Sequence, residues 1–161
     1  MIVIVMGVSG VGKTSLGEAL AERLGWRFIE GDDYHSPENV AKMACGVALA
    51  DADRWPWLDR LNHELARLEE QGASAVLACS ALKESYRRRL TAGLKEFEFI
   101  YLHGELELIR RRIAQRKHRY MPATLLESQF TTLEPPAHAI AIDVAAEAPE
   151  NVAAIAEKLK R

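Results

Sequence analysis

Short aliphatic and β-branched runs alternate along the chain with longer stretches in which apolar residues recur every three or four positions. The short runs predict strands at 2–6, 26–30, 74–79, 97–102 and 139–144. The longer ones predict helices near 12–24, 37–45, 54–71, 83–92, 105–116, 122–132 and 149–160. Strands that alternate with helices of this length build an α/β domain, a five-stranded parallel sheet with helices on both faces. Local chemistry supports several helix starts: Ser36 is a candidate N-cap with Pro37 at the first helical position, and Asp53 is a candidate cap with Pro56 in the first turn. The least regular stretch, 115–124, is rich in basic residues and ends near Met121 and Pro122, which makes it a lid candidate.

Length and composition narrow the picture without redrawing it. A chain of 161 residues and 18.0 kDa has room for one domain, spanning 1–161. With 21 Lys and Arg against 23 Asp and Glu, the formal charge is −2, so the chain as a whole is no polycation in search of nucleic acid or a membrane surface. Cys45 and Cys79 are too few for a disulfide scaffold and have no metal-ligand spacing with the histidines, as expected of small thiols in a reducing compartment. The N-terminal apolar run lacks a basic flank and breaks at glycine, so it reads as a buried strand, not a signal peptide. No apolar segment approaches the ~20 residues of a membrane span, and a soluble cytoplasmic protein is expected.

The chemistry begins directly after the first strand. Gly7, Val8, Ser9, Gly10, Val11, Gly12, Lys13 and Thr14 match GxxxxGK[ST], between a strand and an apolar helical pattern carried by Leu16, Ala19, Leu20 and Leu24. The glycines let successive backbone N–H groups turn toward an anion, and the following helix adds its positive N-terminal end. Lys13 would reach the β- and γ-phosphates of ATP, and the Thr14 hydroxyl would bind Mg²⁺. The chain contains neither NKxD nor DxxG, which argues against a GTPase switch, and residues 76–80 end in Cys and Ser where a motor ATPase would carry an acid. The acid follows the second strand instead, at Glu30, Gly31, Asp32 and Asp33.

Asp32 could orient an acceptor hydroxyl and take its proton, while Asp33 reads as structural. His35 is open between a substrate contact and a structural group. Arg54 at a helix start opposes the macrodipole, which a substrate carboxylate held through a bidentate contact would explain, whereas Trp57 reads as core. Ser80 leaves the third strand at its C-terminal end, where open α/β sheets bind ligands, or caps the next helix. Lys83 in that helix's first turn again asks for a nearby anion. Arg87, Arg88 and Arg89 read as a solvated mid-helix face. Six basic residues fall between Arg110 and Arg119, and Arg112 and Arg116 share a helix face opposite Leu106, Ile109 and Ile113. A lid whose arginines close over ATP and neutralise the moving phosphoryl charge fits this run.

Taken together, GVSGVGKT, EGDDYHSPENVAKMACG, DADRWPWL, CSALKESYRRRL, FIYLHGE and RYMPATLLESQFTTLEPP resemble, in order from residue 7 to 136, the gluconate kinases of the small P-loop type. The resemblance implies an adenylate-kinase-like P-loop fold, ATP and Mg²⁺, phosphorylation of D-gluconate at its 6-hydroxyl, and a homodimer. It implies a substrate-binding helical segment at about 33–58 and a lid at about 115–124. By the same resemblance residues 7–14 form the ATP loop, to which the lid reading adds Arg112 and Arg116. Lys13, Asp32 and Arg116 are implied to be catalytic. Asp32, His35, Arg54, Ser80, Lys83 and Arg119 are implied to be on the substrate side, with His118 open for the role given to Arg119. The chain departs from the family pattern at Val47 and Ala48, at Arg88, and at residues 118–121, none of them a phosphate ligand. The other readings are a related kinase acting on shikimate, adenylylsulfate or another small hydroxyl acceptor, and a nucleotide-dependent RNA-binding module using the arginine runs.

Overall fold

A computed structural model of the chain describes residues 1–115, 123–145 and 148–160. Five strands, β1 (Ile2–Met6), β2 (Arg27–Glu30), β3 (Ala75–Ala78), β4 (Phe97–His103) and β5 (Ile140–Asp143), form one parallel sheet in the order β2-β3-β1-β4-β5. The register runs Ile4 to Leu77 on one side of β1 and Ile4 to Phe99 on the other. Every residue of β1 and β3 is buried because both faces of the sheet are covered, so these strands are unbroken apolar runs. The edge strand β5 alternates between half-buried and exposed residues instead.

Among the described residues seven helices cover the sheet: α1 (Lys13–Leu24), α2 (Pro37–Ala44), α3 (Asp51–Glu70), α4 (Glu84–Leu90), α5 (Leu106–Ala114), α6 (Ala123–Thr132) and α7 (Ala148–Leu159). Going from β1 to β2 the chain crosses the sheet in one direction, and from β2 through β5 it moves in the other. Right-handed crossovers therefore put α1 on one face and α2 to α6 on the opposite one. Packing agrees, with α1 against α7, α3 against α4 and α5 against α6. The core is continuous, from Ile2, Ile4 and Leu77 in the sheet to Leu20 on one side and Leu58, Leu61 and Leu65 on the other. A three-layer α/β sandwich thus stands where alternating runs predicted it.

Boundaries differ where side chains decide them. α3 starts three residues before the expected position: Ala50 is its N-cap, and Asp53 serves from the third helical position by accepting the Ala50 N–H at 2.9 Å. Asp51 and Asp53 make an acidic first turn that favours this earlier start, and Pro56 falls in the second turn instead of the first. A single 3₁₀ turn, Gly31–Tyr34, follows β2 where no element was expected. Ser36 caps α2 as expected, its Oγ accepting the Asn39 N–H at 3.1 Å. Of the lid expected at 115–124, residues 116–122 lie outside the described residues.

Candidate active site

The C-terminal ends of β1, β2 and β3 carry the chemistry, as parallel sheets require, because their following turns open on the same edge. Residues 7–14 form a loop from β1 into α1. Gly10 has φ +82°, and a Cβ there would lie 2.5 Å from Ile113 Cγ1, so α5 packs directly on the loop. Gly12 has φ +101° with nothing within 4 Å of the position a Cβ would take. At that residue the left-handed backbone, not crowding, demands glycine. Lys13 Nζ donates to the Val8 carbonyl at 3.0 Å, arching its side chain back over the loop.

Glu30 links this loop to the acids after β2. One of its carboxylate oxygens accepts the Thr14 hydroxyl at 2.5 Å, and the other accepts the Asp32 N–H at 3.4 Å. The expected metal-side hydroxyl therefore meets a carboxylate that sequence reasoning left without a role, although Glu30 stood in the acidic cluster after β2. A hydroxyl and carboxylates beside a phosphate loop are hard oxygen donors, which suit a Mg²⁺ held chiefly by substrate phosphates and water. Among the described residues there is no cluster of three or more His, Cys, Asp or Glu able to hold a metal alone. The donor set thus fits a nucleotide-borne ion.

Asp32 sits in the 3₁₀ turn with its side chain 67% exposed, open to a ligand. The turn is pinned from α3: Trp57 Nε1 donates to the Gly31 carbonyl at 2.8 Å, and Arg60 Nε to the Tyr34 carbonyl at 2.9 Å. Trp57 is core, as expected, and its ring stacks on His35 at 4.0 Å between centroids. Burial pushes the His35 pKa down to about 4, so the ring is neutral near pH 7. Asn39 Nδ2, which donates to the Asp53 carbonyl at 2.9 Å, also lies 3.3 Å from His35 Nδ1. An amide donor there makes Nδ1 the acceptor, which leaves the ring proton on Nε2, 3.9 Å from Asp32 Oδ1.

Arg54 and Lys83 converge on one polar corner. Arg54 Nη1 donates to the Tyr86 hydroxyl at 2.6 Å, Tyr86 donates to Asp51 Oδ1 at 2.5 Å, and Lys83 Nζ reaches the same oxygen at 3.3 Å. The Tyr86 hydroxyl, ahead of Lys83, holds the Asp51 carboxyl below the usual carboxylate range. Asp51 thereby supplies within the protein an anion that the position of both cations seemed to require from a substrate. Lys83 is the N-cap residue of α4, not part of its first turn, and Ser80 does not cap that helix. The Ser80 carbonyl instead accepts the Gly7 N–H at 3.2 Å, joining the β3 exit to the phosphate loop.

Several arginines of the two runs are engaged within the fold. Arg87 is buried, donating to the carbonyls of Ala81 at 2.8 Å, Leu82 at 3.1 Å and Glu134 at 2.9 Å, which overturns its reading as a solvated residue. Arg89 pairs with Asp59 at 2.8 Å, and Arg110 bridges Glu107 and Glu127; only Arg88 of the first run keeps an exposed side chain without a close hydrogen bond. Arg112 Nη2 donates to the Val144 carbonyl and lines a cavity of about 880 Å³ together with Gly12, Ser15, Leu16, Val144 and Val152. That space adjoins the phosphate loop and suits a ligand of nucleoside size or larger. Arg116 and Arg119 lie outside the described residues.

Buried Cys79, at the exit of β3, feels the charges of Asp32, Lys13 and Glu30 together, although burial chiefly pushes its thiol up to about 12. Phosphate loop and acids therefore surround one sheet edge. No helix among the described residues is long and apolar enough to cross a membrane.

Comparison with known proteins agrees with this arrangement. A family model described as an AAA domain matches residues 2–136. The probable gluconokinase of Xenopus tropicalis is 46% identical over 89% of this chain and 85% of its own, and the gluconokinase of Gluconobacter oxydans is 47% identical over 83% and 75%. The crystal structure of a gluconokinase from Sinorhizobium meliloti superposes with a TM-score of 0.85 at 42% identity, covering 98% of this chain and 94% of that one. Likeness of this extent, running through the same elements that bring Lys13, Glu30 and Asp32 to one edge, means that the chain belongs to the gluconokinase family of P-loop kinases.

Proposed function

We propose that the protein is a gluconokinase, moving the γ-phosphoryl group of ATP to the 6-hydroxyl of D-gluconate to give 6-phospho-D-gluconate and ADP in gluconate catabolism. The observation that carries this reading is the Thr14–Glu30–Asp32 chain, which sets a free carboxylate beside a phosphate loop in a chain of this family. In-line phosphoryl transfer needs little covalent help from the protein, so positioning and charge stabilisation are the tasks to assign. Backbone N–H groups of the 7–14 loop hold the phosphates, those of Gly7 and Ser9 staying bonded to Ser80 and Gln129, and Lys13 swings from the Val8 carbonyl to the β- and γ-oxygens. Asp32 orients the 6-hydroxyl and accepts its proton as the oxygen attacks. Thr14, with Glu30 behind it, would hold Mg²⁺, which supplies charge neutralisation across the β- and γ-phosphates.

On the acceptor side, Arg54 and Lys83 receive the gluconate carboxylate, exchanging part of their contact with Tyr86 and Asp51 for it. Ser80 and Arg119 complete the polyol contacts, while Arg112 and Arg116 serve the nucleotide. His35, neutral and stacked on Trp57, presents its Nε2 proton to the Asp32 side of the site. The proposal includes a homodimer, a cytoplasmic location, and neither nucleic acid nor membrane as partner. A coupled assay with purified protein, ATP, Mg²⁺ and a panel of gluconate, shikimate and adenylylsulfate tests it. ADP release dependent on gluconate, with 6-phosphogluconate as product, is expected; ATP binding without sugar-acid phosphorylation would sink the reading.

Glu30→Gln separates the metal role from the rest. The amide still accepts the Thr14 hydroxyl but no longer carries the charge that steadies a hydrated cation. The Mg²⁺ concentration for half-maximal rate is expected to rise roughly tenfold, the usual order for loss of an outer-shell partner. A Mg²⁺ titration that superposes on that of the unaltered protein removes Glu30 from the metal site.

A further inference from the structure

The mechanism leaves one tight contact unused. Gln129, on α6, holds Ser9 at the tip of the phosphate loop with both ends of its amide: Oε1 accepts the Ser9 N–H at 2.7 Å, and Nε2 donates to Ser9 Oγ at 3.0 Å. These residues are 120 positions apart, and the bond is made by a side chain to loop backbone, which a merely packed helix would not need. Five residues later the same segment is fastened again. The Glu134 N–H donates to the Leu82 carbonyl at 2.8 Å, its own carbonyl accepts Arg87 Nη2 at 2.9 Å, and its carboxylate accepts the Glu84 N–H at 3.0 Å.

Between the two fastenings α6 runs on to Thr132. Leu133 N–H donates to the Gln129 carbonyl at 2.9 Å, continuing the helical pattern through the end of α6. The far end holds residues 82–87, which carry Lys83 and Tyr86, and the preceding Ala81 has the positive φ of +45°. A non-glycine residue in that region is strained and persists where its surroundings enforce it.

We propose that Gln129 is a positioning residue for phosphoryl transfer. With Glu134 it makes the end of α6 a strut that sets the distance between the phosphate-loop tip and the acceptor-side segment. The proposal rests on the kinase reading of the site but not on the identity of the acceptor. In-line transfer is sensitive to such a distance, because an error of the order of 1 Å between donor and acceptor can cost about a hundredfold in rate. Nucleotide affinity is less sensitive, because most of the loop's N–H groups and Lys13 stay in place.

The test uses the full chain and compares Gln129→Met, which keeps length without the amide, with Glu134→Ala. Gln129→Met is expected to lower kcat at least tenfold with KM for ATP and the calorimetric affinity for ADP within about threefold. Glu134→Ala should lower kcat in the same manner from the other end. Retention of kcat within twofold in Gln129→Met, loss of ADP affinity in step with kcat, or an effect at Gln129 with none at Glu134 would each overturn the strut. Hydrogen exchange at the Ser9 segment needs no acceptor and should quicken more than tenfold in Gln129→Met; unchanged exchange overturns the proposal even in a variant too weak to assay. A wild-type protein that fails on gluconate while this exchange quickens counts against the gluconate reading alone.

Discussion

Asp32→Asn is expected to lower kcat for gluconate phosphorylation by about 100- to 10,000-fold, the range for removal of a positioned general base. Asparagine matches aspartate in size and still hydrogen-bonds a hydroxyl, so geometry survives while the capacity to take a proton is lost. The turn that carries residue 32 does not depend on its side chain. Trp57 and Arg60 hold the carbonyls of Gly31 and Tyr34, and Glu30 holds the Asp32 N–H. Affinity for ADP should therefore stay within about threefold, and the loss should appear in kcat and kcat/KM alike, as for an interaction made in the transition state. Steady-state kinetics with calorimetric titration of ADP decides the matter. A kcat within tenfold of the wild type would move the base role to another residue.

Arg87→Leu is expected to destabilise the fold by about 3–5 kcal/mol, the range for breaking a buried charge network, and to lower Tm by roughly 10 °C in a domain of this size. The cause is the orphaning of two acceptors, the carbonyls of Ala81 and Glu134, since that of Leu82 keeps the Glu134 N–H. Arg87 is 3% exposed and donates to the carbonyls of Ala81, Leu82 and Glu134 while pairing with Glu84 at 3.1 Å. Each unsatisfied buried carbonyl costs about 1–3 kcal/mol, and leucine satisfies none. Lysine should restore little, since one ammonium cannot span the fork that guanidinium offers to separate carbonyls. Arg88→Leu is the control from the next position: its side chain is 80% exposed, and a change within about 0.5 kcal/mol is expected. Thermal melts of the three variants test this, and an Arg87→Leu melt within 3 °C of the wild type contradicts it.

The Arg87 and Arg88 pair also shows where sequence reasoning stopped. Both lie in a helical run of three arginines, and nothing in periodicity distinguishes them. Their difference arises because residues 80–83 and 134 pass beside one face of α4 and present carbonyls there. Lys83 and Arg54 show the same limit in another form. Sequence reasoning marked them as cations that wanted an anion, but Asp51, which meets Lys83 directly and Arg54 through Tyr86, became visible only when α3 and α4 packed together. Glu30 was seen as an acid after β2 and given no task, because its partner Thr14 comes from another turn of the sheet.

By itself the sequence determined the order of elements, the phosphate loop and the acidic turn. Each rests on neighbours along the chain: unbroken apolar runs make inner strands, glycines at set spacing make the loop, and a strand end puts the next turn at the sheet's C-terminal edge. Tertiary structure alone decided which polar side chains meet. Thr14 with Glu30, Gln129 with Ser9, and Arg87 with Glu134 are pairs between elements 16, 120 and 47 residues apart, fixed by crossover direction and helix packing. The physical reason is range: hydrophobic periodicity reports which face of an element is buried, whereas a hydrogen bond is set by distances of about 3 Å that only the assembled layers define.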